Sequence, residues 1–537
     1  MLTISAQVFQ QAQLVPEKTA LIVDGDRRSF AELERNAATI AGRLQAEAGR
    51  RPLRVALALE DSAVFVEVLL ACLGTGHVIA IADPDWPAET LARNIEDLRF
   101  DILIAEADKA EALARAVAPL PVLSHGGAMG SVRSLKSWTA EAGALRTWPD
   151  VAPTAPFLIG FTSGSTGQPK AFIRDQSSWA TSFAASDAEI PTGADDVLLC
   201  PGLMKHTLGL YAVLYALARG ATALCSRRFG PAGPAAGASE MLDLMDRHDV
   251  TQIALIPPMA HWMADAAHTT QRSFDTVRQV TSTAMKLAVT TRQALQEVLP
   301  NADIVEYYGA AESGFISISK PAETPPLTSV GRAMSGVELS LRDPDTGHAV
   351  PVGEAGQVHI RSHYVSNGYL VERDAGGFRH LSDGWATVGD IGVQDARGML
   401  TIVGRENDLM VSGGHKVYPA EIETVLANVD GLQAACVLGL RNPVWGDVVC
   451  VVSSPVDVPT QLIAQSCLAV LPPERCPQVH IAMADLPRTS TGKIARSRLH
   501  AYIEETHGAA VSELTMDNLR QAQRAGAILG LRTGRTP

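Results

Sequence analysis

The sequence of 537 residues lacks the features that would tie it to nucleic acid, to a membrane or to a disulfide framework. Its net charge is -13, whereas general binding of nucleic acid requires a basic face. Its seven cysteines are odd in number and scattered, and none forms a CxxC pair, which argues against disulfides and a zinc site. No apolar run reaches the roughly 18 residues of a membrane span, and the first residues lack a secretion signal. These absences predict a cytoplasmic protein with no transmembrane segment and no nucleic-acid partner.

Length and patterning predict more than one domain. With 46% hydrophobic and 19% charged residues, the chain has the composition of a folded protein that is too long for one ordinary core. From residue 20 to residue 310, short apolar runs alternate with helical patterns, which predicts βαβ units and largely parallel sheets. Residues 313–403 predict a small antiparallel β unit, and the chain after residue 404 predicts a compact α+β unit. The predicted fold class is therefore α/β, with a large N-terminal domain and a small mobile C-terminal domain.

Local signals place individual elements. Ser29 stands three residues before Glu32, which is the signature of a capping box, and predicts a helix to about residue 44. Pro419 opens a predicted helix of eight residues with acid in its first turn, the preferred arrangement at a helix N-terminus. The polar tail is predicted to be helical around residues 514–531, with no assigned role.

A polar loop follows the strand predicted over residues 155–161. Two glycines let backbone amides approach an anion closely, while serine and threonine hydroxyls and Lys170 add donors, a set that suits a polyphosphate. A Walker loop is excluded because Pro169 stands where that motif needs a glycine. By composition alone, an ordinary surface loop rich in serine and glycine is the alternative.

Residues 162–170 resemble the signature loop of the adenylate-forming superfamily, which includes acyl-CoA synthetases, luciferases and the adenylation domains of peptide synthetases. The family pattern, T-[ST]-G-[ST]-T-G-x-P-K, is matched at every fixed position, and further resemblance extends over roughly residues 5–505. The resemblance implies ATP as a cosubstrate. The residues that it places on the nucleotide in this loop are Thr162, Ser163, Gly164, Ser165, Thr166, Gly167 and Lys170.

Two further segments resemble the family's adenine side. Residues 306–312 are similar to Y-G-x-T-E, which implies that Tyr308 lies on the adenine and that Glu312 holds Mg²⁺, an ion that prefers carboxylates with phosphate oxygens. Residues 282–287 resemble S-G-G-x-x-L more weakly. The residues implied to bind nucleotide in these segments are Thr283, Ala284, Glu306, Tyr307, Tyr308, Gly309 and Ala311. Ala311 replaces the usual threonine, so one hydroxyl is missing.

The resemblance continues into the C-terminal part. Residues 384–390 are similar to W-x-x-T-G-D, which implies that Asp390 accepts hydrogen bonds from the ribose hydroxyls, although Val388 replaces a threonine. Residues 404–423 resemble the family's hinge segment, with Arg405 on ribose and phosphate and the hinge at Asn407. Residues 486–496 match P-[RK]-T-x-x-G-K, which implies that Lys493 bridges the acid's carboxylate and the α-phosphate.

The implied catalytic residues are Lys493, Thr162, His206 and Glu312. His206 lies in the segment 200–214, which resembles the helix lining the acyl pocket in the family. No acidic residue lies between Cys200 and Arg219, where peptide-synthetase domains place an aspartate for an α-amino group. We therefore expect a largely apolar carboxylic acid as the small-molecule substrate, of the fatty or aryl acid kind.

The resemblance implies an AMP-forming acid–thiol ligase that uses ATP and Mg²⁺ and transfers the acyl group to CoA. A first alternative is an enzyme that loads the phosphopantetheine thiol of an acyl or peptidyl carrier protein. A second is a non-catalytic nucleotide-binding relative, which Ala311, Val388 and Thr283 would support and the retained Glu312 and Lys493 oppose. The predicted domains are residues 1–406 for AMP and acyl binding, 407–505 for the catalytic lysine, and 506–537 as a tail.

Overall fold

The computed structural model of the protein describes residues 2–49, 51–128, 130, 132–163, 169–202, 204–227, 234–371, 377–488, 494–525 and 529–532. The chain is a mixed α/β protein with a large N-terminal part of sheets and helices and a small C-terminal part, which confirms the predicted fold class. The described helices are α1 (Ile4–Leu14), α2 (Phe30–Ala48), α3 (Ala63–Thr75), α4 (Ala88–Leu98), α5 (Ala107–Ala116), α6 (Leu135–Thr139), α7 (Gln176–Glu189), α8 (Thr207–Ala218), α9 (Pro234–His248), α10 (Pro257–Thr270), α11 (Val289–Val298), α12 (Pro419–Leu426), α13 (Thr460–Leu468), α14 (Arg496–Ser512) and α15 (Met516–Ala525).

Short 3-10 turns and many strands complete the chain. The 3-10 helices are Pro321–Glu323, Glu406–Asp408 and Pro473–Arg475. The described strands are β1 (Thr19–Val23), β2 (Asp26–Ser29), β3 (Arg54–Ala58), β4 (Val78–Ile81), β5 (Ile102–Glu106), β6 (Val122–His125), β7 (Arg133–Ser134), β8 (Pro156–Ser163), β9 (Pro169–Asp175), β10 (Val197–Cys200), β11 (Thr222–Cys225), β12 (Gln252–Leu255), β13 (Gln279–Ser282), β14 (Asp303–Ala310), β15 (Gly314–Ser319), β16 (Arg332–Ala333), β17 (Val337–Arg342), β18 (Ala355–Ser362), β19 (Gly368–Tyr369), β20 (Arg379–His380), β21 (Ala386–Gln394), β22 (Leu400–Arg405), β23 (Met410–Ser412), β24 (His415–Val417), β25 (Ala434–Asn442), β26 (Gly446–Ser454), β27 (Val479–Ala482) and β28 (Leu529–Arg532).

Two large sheets form the N-terminal part. One has the strand order β19-β9-β8-β4-β3-β5-β6-β7, and the other has the order β16-β15-β14-β13-β12-β10-β11-β1-β2. Both have parallel centres and antiparallel edges at β8–β9 and β14–β15, in agreement with the predicted βαβ units. Helices α3 and α8 pack in one core with residues from both sheets, such as Leu57 and Ala223. Because these helices are buried on nearly all sides, their sequences are apolar around the whole circumference.

The predicted small antiparallel unit is a sheet of β17, β18, β21 and β20, with β22 paired to β21. Its strands share one core with β14 and β15, which attaches the unit to the second large sheet. The predicted capping box is also present. The Ser29 backbone N–H donates to Glu32 Oε2 at 2.8 Å, and the Glu32 backbone N–H donates to Ser29 Oγ at 3.2 Å.

The C-terminal part contains the sheet β24-β23-β26-β27-β28, with β25 paired to β26. The tail is helical over α15, but the predicted continuation of the helix to residue 531 is wrong because Leu529–Arg532 form β28. That strand pairs in parallel with the open edge of β27, which satisfies backbone groups on both strands. The boundary predicted at residue 505 falls inside α14, and Val511 and Leu519 beyond it are buried in the C-terminal core.

Within the ranges that the structure describes, no helix has both the length and the apolar character to cross a membrane.

Candidate active site

The candidate site is assembled around the antiparallel edges of the two large sheets. Strand β8 leads into the polar loop and β9 leaves it, with Thr162 opposite Lys170 in the register of the pair. The turn after β14 carries Glu312. Strand β21 carries Asp390, which lies opposite Arg405 on β22. Because strands hold side chains at fixed positions, residues far apart in the sequence come together, and Thr162 lies within hydrogen-bond distance of Glu312, 150 positions later.

Glu312 lies at the centre of the phosphate side of the site. Its carboxylate Oε1 accepts hydrogen bonds from Thr162 Oγ1 at 3.0 Å and from the Tyr369 hydroxyl at 2.6 Å. The side chain is buried, and its Oε2 accepts no hydrogen bond from a residue that the structure describes. Lys170 Nζ lies 5.9 Å from the centre of the Tyr369 ring, which brings a positive charge to the same place. The structure thus brings together Thr162, Lys170 and Glu312.

The donor set around Glu312 fits a magnesium ion that is shared with phosphate oxygens. Among the residues that the structure describes, Oε2 has no hydrogen-bond donor, and the groups on Oε1 are hydroxyls, all of them hard oxygen donors of the kind that Mg²⁺ prefers. In the described part of the chain, no group of three or more His, Cys, Asp and Glu residues could form a metal cage. A single carboxylate is the arrangement expected where substrate phosphates complete the coordination.

Arg174, on β9, donates hydrogen bonds to the turn that carries Glu312, and this role was not predicted from the sequence. It is fully buried, and its guanidinium donates to the Ala311 carbonyl at 3.0 and 2.8 Å and to the Tyr364 carbonyl at 2.5 Å. Burial lowers the pKa of Arg174 to about 10, and the nearby Glu312 charge opposes that shift. The sequence shows only an arginine four residues after Lys170. The carbonyls that it contacts lie more than a hundred positions away, so its role could not be predicted.

A second segment, residues 364–369, contacts both the main chain and the carboxylate of Glu312. The Ser366 backbone N–H donates to the Glu312 carbonyl at 2.7 Å, while Tyr369 binds the carboxylate of the same residue. Burial and the Glu312 charge raise the pKa of Tyr369, so its hydroxyl remains a donor at neutral pH. This segment was also missed, because its sequence gives no signal beyond an ordinary turn.

Asp390 and Arg405, the residues predicted for the ribose, meet Tyr308, the residue predicted for the adenine. The Tyr308 hydroxyl donates to Asp390 Oδ2, and Arg405 Nε donates to Asp390 Oδ1 at 3.0 Å. Burial raises the pKa of Asp390, although Arg405 and the Tyr308 hydrogen bond counteract it, and burial with the Asp390 charge raises that of Tyr308. Each carboxylate oxygen keeps a second lone pair, so Asp390 can still accept hydrogen bonds from a ligand.

Glu306 is engaged by the chain itself. Its carboxylate accepts from Lys286 Nζ at 2.8 Å, from the Leu287 backbone N–H at 2.8 Å and from the Arg292 guanidinium. The residue is buried, so this ion cluster fixes the middle of β14 and engages both oxygens of its carboxylate. The two cations were not recognised in the sequence as its partners.

The turn after β13 carries two of the predicted residues. Thr283 Oγ1 donates to the Tyr307 carbonyl at 2.8 Å, which ties this turn to β14. Ala284 has a φ of 76°, a left-handed conformation that favours glycine, and glycine is the residue at this position in the pattern that the segment resembles. Ala284 therefore adopts a backbone conformation that glycine favours, although the residue is alanine.

His206 is the N-cap of α8, the helix predicted to line an acyl pocket. The segment before it is held from two sides. Lys205 Nζ donates to Asp83 Oδ1 at 2.8 Å, and the Met204 backbone N–H donates to the buried carboxylate of Asp61 at 2.9 Å. Burial raises the pKa of Asp61 to about 7.

A small cavity of about 30 Å³ lies between α8 and the second large sheet. Its walls are mostly apolar, and Tyr307 and Thr281, which adjoin the predicted nucleotide residues, line it. The lining residues are Ile190, Thr192, Leu198, Leu208, Tyr211, Ala212, Tyr215, Gln252, Ile253, Ala254, Gln279, Thr281, Tyr307 and Phe315. None of these residues carries a formal charge, so the cavity suits an uncharged group.

Some predicted site residues are not placed. Lys493 and the loop residues Gly164, Ser165, Thr166 and Gly167 lie outside the described residues, and only the backbone of Ser163 is described. Gly309, by contrast, packs so closely on the Gly314 carbonyl that an added Cβ would lie 2.1 Å from its oxygen, which explains why glycine stands there.

Comparison with known proteins gives two family matches. The profile of the AMP-binding enzymes matches residues 8–370, and that of the AMP-binding enzyme C-terminal domain matches residues 421–493. The matches cover the chain on both sides of the segment that holds Asp390 and Arg405. They include the residues around Glu312 as well as the unplaced Lys493.

Individual proteins resemble the chain over nearly its whole length. An uncharacterized acyl-CoA ligase of Bacillus subtilis, YhfT, is 27% identical, with 94% of this chain and 99% of the relative covered. The indoleacetate–CoA ligase of Aromatoleum aromaticum is also 27% identical, with 92% and 96% covered. Among solved structures, ATP-bound MatB from Rhodopseudomonas palustris superposes with a TM-score of 0.80 at 25% identity, covering 94% of this chain and all 100% of MatB.

Proposed function

Because the chain belongs to the family of AMP-binding enzymes, we propose that it is an AMP-forming ligase that activates a carboxylic acid with ATP and transfers the acyl group to CoA. The observation that carries this proposal is the meeting of Thr162, Glu312 and Tyr369 beside Lys170. This arrangement combines one available carboxylate oxygen with hydroxyl donors and a cation, as Mg-ATP binding requires.

In the first half-reaction, a carboxylate oxygen of the acid forms a bond to the α-phosphorus, and the bond from that phosphorus to the bridging oxygen breaks, releasing pyrophosphate. Glu312 would hold Mg²⁺, which supplies positive charge to the phosphate oxygens when bound. Asp390 and Arg405 would orient the ribose, and Tyr308 would lie on the adenine. We propose that catalysis consists of positioning the reactants and stabilising charge, because in-line attack at phosphorus needs little covalent help from the enzyme.

Lys493 is proposed to act in this first step. Its ammonium would bridge the acid's carboxylate and the α-phosphate while negative charge moves onto the leaving pyrophosphate. The support for this role is the match of residues 486–496 to the family pattern and the match of the C-terminal profile, which ends at residue 493. His206, the N-cap of α8, would contact the acid between the nucleotide side and the cavity.

In the second half-reaction, the thiol sulfur attacks the acyl carbon, loses its proton and displaces AMP, which leaves with the electron pair of the broken carbon–oxygen bond. We propose that the C-terminal domain rotates about Asn407 between the two steps, so that Lys493 leaves and a path for the thiol opens. Both relatives named above are CoA ligases, and this supports CoA over a carrier protein as the acceptor.

We further propose that the apolar part of the acid enters the cavity beneath Tyr307. The cavity begins beside Leu208, two residues after His206, and its walls are dominated by aliphatic and aromatic side chains. Such walls suit the carbon surface of a fatty or aryl acid, because burial of that surface is favourable while nothing there pairs with a charge, and the cavity of about 30 Å³ would have to widen to admit the acid.

The test is to measure pyrophosphate release from ATP across a panel of fatty and aryl acids, with and without CoA, and to identify the products by mass. We expect turnover that rises with CoA and yields an acyl-CoA and AMP. The Glu312→Gln variant, which keeps the shape of the side chain but loses its charge, is the control that ties activity to this site. No pyrophosphate release from any acid, with ATP bound, would overturn the proposal, and release of about one equivalent with no effect of CoA would favour a carrier-protein acceptor.

A further inference from the structure

The turn between β13 and α11 is fastened to β14 at both of its ends. At the start of the turn, Thr283 Oγ1 donates a hydrogen bond to the Tyr307 carbonyl at 2.8 Å. Toward its end, Lys286 Nζ donates to Glu306 Oε2 at 2.8 Å. Because Glu306 and Tyr307 are consecutive on β14, both ends of the turn are held at one place on that strand. The next residue of the strand is Tyr308, which is predicted to lie on the adenine.

Ala284, in the middle of this turn, has an unusual backbone conformation. Its φ of 76° is left-handed, which is unfavourable for a residue with a Cβ atom. In the described part of the chain, the other non-glycine residues with positive φ directly follow a helix or a 3-10 turn or, like Asp24, lie in the hairpin between β1 and β2. Such a conformation persists only where the surrounding structure imposes it. The shape of the turn therefore depends on the contacts that hold its ends.

Lys286 supplies more of these contacts than any neighbour in the turn. Besides Glu306, its ammonium donates to the Ser329 carbonyl at 2.8 Å, so it joins the turn to two separate segments. Glu306 also accepts from Arg292 on α11, and its carboxylate stays paired with a cation even without Lys286. Attachment of the turn is thus the contribution that belongs to Lys286 alone. The tip that it holds, Ala284 and the residue after it, is exposed and open to a ligand.

We propose that Lys286 is a positioning residue for the nucleotide, which holds the turn in the left-handed shape that Thr283 and Ala284 present to ATP. The inference rests on the proposed ligase function and on the nucleotide contacts predicted for those two residues. If only the correctly shaped turn binds ATP, the apparent Kd is the intrinsic Kd divided by the fraction of molecules with that shape. Loss of the tether lowers this fraction, whereas bound ATP restores the shape. The affinity for ATP should therefore change more than kcat.

The experiment measures the Kd for ATP by calorimetry, with Mg²⁺ present and no acid, so that no turnover occurs. Lys286→Met keeps the apolar stem and removes the ammonium, and we expect the Kd to rise about tenfold. In the full reaction, the KM for ATP should rise in the same way, while kcat stays within about twofold of the wild type. Arg292→Met is the matched control, since it takes the other cation from Glu306 but lies outside the turn. It should lower the Tm and leave the Kd for ATP unchanged.

A second substitution separates positioning from support of the fold. Glycine adopts positive φ about as readily as negative φ, so Ala284→Gly removes the conformational penalty that the tether offsets. Introduced into Lys286→Met, it should bring the Kd for ATP back to within about threefold of the wild-type value. A lysine that only stabilised the ion cluster at Glu306 would not be replaced by a glycine two residues away.

A wild-type Kd in Lys286→Met overturns the proposal, and so does an equal loss of affinity in Arg292→Met or a loss that Ala284→Gly does not recover. If Lys286→Met fails to fold, Thr283→Val cuts the tether at the other end of the turn. Its loss of affinity should then be recovered by Ala284→Gly, and absence of recovery overturns the proposal equally. A wild-type enzyme that binds no ATP would instead count against the ligase function itself.

Discussion

At the scale of single residues, the position of Glu312 depends on hydrogen bonds from other residues of the chain. Glu312 is fixed through its carboxylate by Thr162 and Tyr369 and through its main chain by Ser366. Arg174 adds donors to the carbonyl of the preceding Ala311. These contacts hold the Glu312 carboxylate through Oε1, and such pre-ordering lowers the entropic cost of binding an ion there.

Arg174→Met is expected to loosen this arrangement, because the carbonyls of Ala311 and Tyr364 lose their donors. We predict that the Mg²⁺ concentration for half-maximal pyrophosphate release rises about tenfold, as is typical when a residue that orients a metal ligand is removed. Arg174→Lys keeps a charge but cannot supply the same fork of donors, so it should recover only part of the loss. A fall in kcat with no change in the Mg²⁺ requirement would show that Arg174 supports only the fold.

Asp61 gives a prediction about pH. Burial raises its pKa from 3.8 to about 7, so between these values the folded state holds a proton that the unfolded chain releases. The stability that this group contributes is therefore present below pH 3.8 and is lost as the pH rises toward 7, at up to about 1.4 kcal/mol per pH unit.

Asp61→Asn removes the titration while keeping an oxygen that can accept from the Met204 N–H. We expect the urea midpoint of the variant to rise relative to that of the wild type as the pH increases from 4 to 7. Above that range the difference between the two midpoints should be constant. Midpoints of the two proteins that run parallel across the whole range would contradict the prediction.

At the scale of elements, periodicity and caps were enough to predict most of the architecture. The capping box at Ser29, the strand before the polar loop and the helix that begins at Pro419 depend on neighbouring residues, and each is confirmed. Strand β28 was predicted as helix, because four residues near a chain end carry little local signal and their strand conformation comes from pairing with β27.

The candidate site was predictable where a motif is contiguous and not where contacts join distant segments. Thr162, Glu312, Asp390 and Arg405 were predicted, and the structure brings them together in two hydrogen-bonded groups. Arg174 was not predicted, because its significance depends on carbonyl groups 137 and 190 residues away. The same limit applies to Lys286 and Arg292, which bind Glu306 but are 20 and 14 positions away from it in the sequence.

At the scale of the whole molecule, two half-reactions with different partners have to share one nucleotide site. The first requires a cation at the reacting phosphate, whereas the second requires access for a thiol to the acyl carbon. The chain between Arg405 and β23 passes through a single 3-10 turn, Glu406–Asp408, before the C-terminal sheet begins. A turn of three residues is short enough for one pair of backbone angles to reorient everything that follows.

Asn407→Pro should restrict this turn to one arrangement, because proline fixes φ near −65°, a value that a 3-10 turn adopts. We predict that this variant keeps pyrophosphate release but loses thioester formation, while Lys493→Ala shows the reverse pattern when acyl-adenylate is supplied directly. Assaying both half-reactions separately in both variants provides the measurement, with each variant serving as the other's control. If Asn407→Pro makes thioester at the wild-type rate, residue 407 is not the hinge, and if Lys493→Ala loses both steps equally, Lys493 is not specific to adenylation.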